Sequence, residues 1–185
     1  DTQLYLGAFS YGRSDDNFPV QLNKPDSQPG ITIHGQLLNL TSEGEISIES
    51  ADPKKPPAIK PNWLSTDYDQ KAVVAMVRTM RKYAQQPAAA NYFGEELIPG
   101  EDCQSDEQIL EAVHRLSTSG LHATGSCRMG KDEQSVVDNQ LRVRGVAGLR
   151  VADCSIMPAL PSGNTNAPAM AVGWRASEII LNGKV

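Results

Sequence analysis

Two stretches of the chain gather side chains able to do chemistry. One is GLHATGSCRMG, residues 120–130, where His122 stands among glycines and small polar residues. The other is SGNTNAP, residues 162–168, where Asn164, Thr165 and Asn166 lead into a run of helix-forming residues. A neutral imidazole is the side chain suited to accept a proton near pH 7. An asparagine-rich helix start offers amide groups, free backbone N–H groups and the positive end of the helix dipole, which suit an electron-rich oxygen or an anion. The residues by themselves describe a site with one general base and several hydrogen-bond donors, and go no further.

Other chemistries fail on spacing. Gly125-Ser126-Cys127 is not the G-x-S-x-G turn of a hydrolase nucleophile. Neither G-x-x-x-x-G-K-S/T nor G-x-G-x-x-G occurs, so these residues carry no phosphate- or dinucleotide-cradling loop. Cys103, Cys127, His114 and His122 lack metal-ligand spacing, and no metal is expected. Three widely spaced cysteines without a CxxC pair form no disulfide framework. They read as free thiols, with a lean to a reducing, cytoplasmic compartment that leaves localisation open. His34 in a strand-like run and His114 in a helical one read as structural. The chain opens on DTQLYLGAFS, without Met or a basic-then-apolar leader, which reads as a processed subunit or a piece of a longer polypeptide.

Composition bounds the partners. The 185 residues are 39% hydrophobic and 21% charged, with mean hydropathy −0.37, which is ordinary globular composition. No apolar run approaches the roughly 20 residues of a membrane span. A net charge of −5 and 5% aromatics favour neither nucleic acid nor an anionic membrane as partner.

The elements that must position His122 and the asparagines follow from periodicity. Residues 4–9 read as a strand leading into a long loop that reaches residue 30. ITIHGQLLNL, a turn at 42–44 and EISIES read as a hairpin over 31–49, with Ile46 and Ile48 alternating against polar neighbours. The proline-rich segment 51–69 reads as an extended surface loop. A helix is expected over 67–86, with Val73, Met76, Val77, Met80 and Ala84 on one face, capped by Thr66 or Asp67 and stopped by Pro87. A second is expected over 105–118, with Ser105 and Gln108 as a capping box. LRVAD, residues 149–153, reads as a strand, and 167–181 as a helix with Pro168 in its first turn. Asn164 is also placed to cap that helix.

Longer strings carry a resemblance. HATGSCRMG, then VVDNQLRVRGVAGLRVADCSIMP, then SGNTNAP follow the order and spacing of H-P-x-G-T-C-R-M-G, V-D-x-x-L-R-V-x-G-V-x-G-L-R-V-x-D-A-S-I-M-P and an Asn- or His-bearing turn before a helix. Upstream, GEISIESADPKKPPAIKPNWLS is similar to G-x-V-x-L-x-S-x-D-P-x-x-x-P-x-I-x-x-N-Y-L-S. The chain thus resembles, over about residues 40–185, the C-terminal part of the glucose–methanol–choline family of flavin oxidoreductases.

That resemblance implies FAD as cofactor and a primary alcohol, choline-like or other, as substrate, with hydride passing from the carbinol carbon to the flavin. His122 matches the family residue that takes the hydroxyl proton. Asn164 matches a second polar position, His in some members and Asn in others, and here resembles the choline-oxidising branch. Asp153, Cys154, Asn164, Thr165 and Asn166 match positions that meet the flavin. Cys154 replaces the usual Ala, and Leu121 stands where many members carry an aromatic or polar residue, so the substrate pocket is not forecast.

The implied fold is α+β: an antiparallel sheet backed by helices, the substrate domain of this family. Its C-terminal strand–turn–helix would pack into an FAD-binding domain absent from these residues. Residues 1–119 are expected to belong to the substrate domain, and 120–185 to the His-bearing segment and the return to the flavin domain. The FAD-binding half would come from an N-terminal portion or a separate chain. Two other readings are a cyanohydrin lyase of the same family, which keeps FAD without oxidising, and a non-catalytic binding module.

Overall fold

In a computed structural model the described residues are 2–11 and 24–183. They fall into two compact units, one of residues 1–37 with 64–119 and the other of residues 38–63 with 120–185. Most of the loop expected before residue 30 lies outside the described residues.

In the first unit β1 (Thr2–Gly7) pairs antiparallel with β2 (Thr32–Leu37), placing Tyr5 opposite His34. Helix α1 (Asp67–Ala84) begins at Thr66, whose hydroxyl accepts from the Asp69 amide. Its buried face of Val73, Val74, Met76 and Val77 meets Ile109 of α2 (Asp106–Leu116). Gly35 in β2 lets the helix come close, since a β-carbon there would lie 2.6 Å from Met76 Sδ and 2.8 Å from Leu4 Cδ2. The capping box of Ser105 and Gln108 is formed at the start of α2. A two-pronged pairing of Arg81 with Glu96, at 2.7 and 2.9 Å, fastens the segment after α1 back onto that helix.

The second unit holds β3 (Glu45–Ser47), antiparallel to β4 (Ala58–Lys60), and α3 (Asn166–Asn182). Its core is Val137, Leu141, Ile156 and Ala176. Segment 127–130 lies between two neighbours: Cys127 and Met129 donate to the Ser155 and Ile156 carbonyls, while Arg128 O accepts from Val136 and Gly130 N donates to Val137.

Antiparallel strands and three helices are present, but three expectations need correction. The hairpin over 31–49 does not form, because β2 pairs with β1 and β3 with β4. Alternating Ile46 and Ile48 signalled a strand without saying which strand it would face. The loop expected over 51–69 contains β4, where Ile59 stands opposite Ile46 between the prolines, and its last residues open α1. Residues 149–153 form no strand: pairing is limited to a bridge between Arg142 and Arg150, and the chain then turns at Asp153. The described residues form two two-stranded antiparallel ladders, and α1 backs the first of them.

Candidate active site

His122 lies in an irregular stretch of the second unit shaped by two left-handed residues, Leu121 at φ 62° and Gly125 at φ 86°. Glycine takes that conformation freely, whereas Leu121 does so at a steric cost immediately before His122, and its side chain is 78% exposed. Downstream, Arg128 is tied to Asp132 by two hydrogen bonds of 2.7 and 2.8 Å, and this pairing holds the Asp132 carboxyl far below the usual carboxylate range. The Cys127 and Met129 amides then bind the stretch to residues 155 and 156.

The turn before α3 is built the same way. Asp153 Oδ1 accepts from the Ser155 amide at 2.7 Å and starts the short 3₁₀ turn Cys154–Ile156. Hydrogen bonding from Ser155 holds the Asp153 carboxyl below its ordinary range. The Cys154 thiol points at the Thr165 carbonyl from 3.7 Å. That carbonyl also accepts the Ala169 amide at 2.9 Å, so Thr165 is held by the first turn of α3.

The two pieces also meet at His122 and Thr165. His122 Nδ1 lies 3.0 Å from Thr165 Oγ1, and the Thr165 amide donates to the same nitrogen at 3.4 Å. The opposite nitrogen, Nε2, has no hydrogen-bond partner among the described residues. Both residues are half-buried, while Asn164 and Asn166 on either side of Thr165 are exposed. Thr165, rather than Asn164, occupies the N-cap position of α3, and Asn166 is the first helical residue. The N–H groups of Asn166 and Ala167 have no intrahelical partner, Pro168 has no N–H, and the first turn carries no acidic residue. A donor-rich surface beside an imidazole results.

Of the expected site residues, His122, Thr165 and Cys154 are brought together directly, Asn164 and Asn166 flank that contact, and the Asp153 carboxylate serves its own turn. The link from His122 to Thr165, 43 residues apart, was not legible in the sequence. His34 packs against Tyr5, with ring centroids 5.2 Å apart, in the first unit. All three cysteines are free thiols. Among the described residues no cluster of His, Cys, Asp or Glu is arranged to hold a metal ion, and no helix is long and apolar enough to cross a membrane.

The family described as GMC oxidoreductase matches residues 41–173. The chain is 39% identical over 166 residues to an oxygen-dependent choline dehydrogenase of Escherichia coli O127:H6, covering 88% of this chain and 30% of that protein. It is 41% identical over 152 residues to an alcohol dehydrogenase [acceptor] of Pseudomonas putida, covering 82% and 28%. Among solved structures it is similar to pyridoxine 4-oxidase from Mesorbium loti, with TM-score 0.82 and 25% identity over 93% of this chain and 33% of that one. A fungal aryl-alcohol oxidase follows at TM-score 0.73 and 33% identity, over 82% and 25%. The chain spans about three-tenths of the length of the curated relatives it matches.

Proposed function

Because the chain belongs to the GMC oxidoreductase family, we propose that it is the C-terminal portion of an FAD-dependent alcohol oxidoreductase, with His122 as the general base. The observation that carries this reading is the placement of His122 against the start of α3, with Nδ1 held by Thr165 and Nε2 unengaged among the described residues. The choline and alcohol dehydrogenases among its relatives support a primary alcohol, choline-like or other, as substrate.

The residues present fit a flavin in the chemistry of their donors. The Asn166 and Ala167 N–H groups, at the positive end of α3 and without an acidic neighbour in the first turn, suit an electron-rich ring oxygen. Asn164, Thr165 and the backbone from Asp153 to Cys154 would complete that edge. Bound FAD supplies the hydride acceptor. This chain's part concerns the proton: as the carbinol C–H bond gives up hydride, His122 Nε2 takes the hydroxyl proton and the C=O bond forms. Asn164 holds the alcohol oxygen by hydrogen bond, since an amide can orient that oxygen but cannot accept its proton.

These 185 residues contain no G-x-G-x-x-G, so the pyrophosphate cradle would come from an FAD-binding portion on the same or another polypeptide. The stripe of Met170, Trp174 and Leu181 on α3, 70%, 74% and 82% exposed, supports such a partner surface. In the flavoenzyme assembled with that portion, His122→Ala should lower alcohol oxidation by roughly 10²-fold or more. FAD content should stay unchanged. Near-parental turnover would reject the role.

A further inference from the structure

Among the described residues, four that are not glycine take the left-handed backbone, at φ 48° to 63°: Asn62, Leu64, Leu121 and Leu141. For three of them the fold shows what offsets the steric cost. Asn62 is of a type that tolerates this conformation, and its Nδ2 donates to the Glu43 carbonyl at 3.2 Å. Leu64 packs against the core around Ile109, and Leu141, 3% exposed, belongs to the core around Val137. Leu121 carries the same backbone cost with its side chain 78% exposed, between Gly120 and His122. Glycine or asparagine would hold that backbone with less strain, so what leucine adds there is an apolar side chain beside the base. Strain of this kind gathers where a site meets its ligand.

We propose that Leu121 is a specificity-determining contact for the carbon substituent of the alcohol, and that the substrate is a neutral primary alcohol bearing an apolar group rather than a quaternary ammonium alcohol. The inference rests on His122 being the base and names the class of alcohol it serves. The charges around His122 point the same way. Residues 119–130 and 157–168, which frame His122 and the start of α3, include no acidic residue and no Phe, Tyr or Trp. A quaternary ammonium group is held by carboxylates or aromatic faces, and these stretches offer neither. The carboxylates just beyond them are engaged, Asp132 by Arg128 and Asp153 by the Ser155 amide. The start of α3 adds N–H groups and the positive end of its dipole, which disfavour a cation and suit the hydroxyl oxygen. Leu121 is then the apolar neighbour of the base.

The test is steady-state oxidation of ethanol, 1-butanol, 1-hexanol and choline by the FAD-loaded, assembled enzyme. In the parent, kcat/KM should rise several-fold per added methylene from ethanol to hexanol, and should be higher for hexanol than for choline. Leu121→Asn, which suits the left-handed backbone, should flatten that rise. It should lower kcat/KM for hexanol by roughly 10- to 100-fold, and for ethanol far less. Leu121→Met, apolar and of similar length, should restore the rise. A parent that prefers choline to hexanol, a rise that survives in Leu121→Asn, or a loss equal on every alcohol overturns the proposal. In each of those cases His122 is still judged by His122→Ala. If the parent oxidises no alcohol, or His122→Ala turns over at the parental rate, the base reading fails and this one with it. Should Leu121→Asn not take up FAD, the parent's ranking of hexanol against choline decides alone.

Discussion

The roles proposed for His122 and Asn164 differ in kind, and the variants should separate them. Asn164→Ala removes one hydrogen bond to the reacting oxygen but leaves the base, so its cost should be about 1–3 kcal/mol, smaller than at His122. Asn164→His should keep more turnover than Asn164→Ala, since an imidazole can also hold that oxygen. Steady-state kinetics of the three variants checks the order, and an Asn164→Ala enzyme as fast as its parent would remove Asn164 from the site. Sequence spacing made His122, Asn164 and Asn166 visible because their neighbours are glycine, proline and small polar residues that no strand or helix interior uses. The Thr165 contact was invisible, because it depends on where the chain returns after 43 residues. Asp153 shows the opposite limit. The resemblance matches it to a position that meets the flavin, and in the fold its Oδ1 accepts from the Ser155 amide of its own turn.

Among the elements, helices were the most legible. The apolar stripe of α1 and the capping box of α2 were both written locally, in i, i+3 and i+4 spacing and in a Ser-x-x-Gln sequence. Ser105→Ala should therefore cost about 1 kcal/mol in thermal unfolding of the assembled protein, with Ser105→Asp nearly neutral. Strand partnership was not legible, since period-two alternation marks a strand and not its neighbour. Gly35 of β2 admits Met76 of α1 against the β1–β2 ladder. Gly35→Val would force Met76 and Leu4 aside and should destabilise the protein by about 1–3 kcal/mol, read from the unfolding midpoint.

The turn leading to α3 carries a pH dependence. Because hydrogen bonding from Ser155 lowers the Asp153 pKa from its ordinary 3.8, ionised Asp153 stabilises the folded turn above that value. The stabilisation is lost as pH falls through the lower, folded value. Asp153→Ala should weaken the enzyme to heat at neutral pH and narrow the gap to the parent on acidification, whereas an equal loss at both would remove the carboxylate from the account.

For the molecule as a whole, the central claim is that these residues supply the proton-handling half of an alcohol oxidation whose hydride acceptor is bound mainly elsewhere. The isolated chain should retain little FAD after gel filtration, because it lacks the dinucleotide loop. The most direct test is anaerobic mixing of the FAD-loaded assembled enzyme with a primary alcohol such as choline or benzyl alcohol, followed by flavin absorbance. The flavin should bleach to its reduced spectrum in a single turnover, and the His122→Ala enzyme should do so roughly 10²-fold more slowly. A flavin left oxidised by every alcohol while the enzyme cleaves a cyanohydrin, or bleaching equally fast in both enzymes, would contradict it.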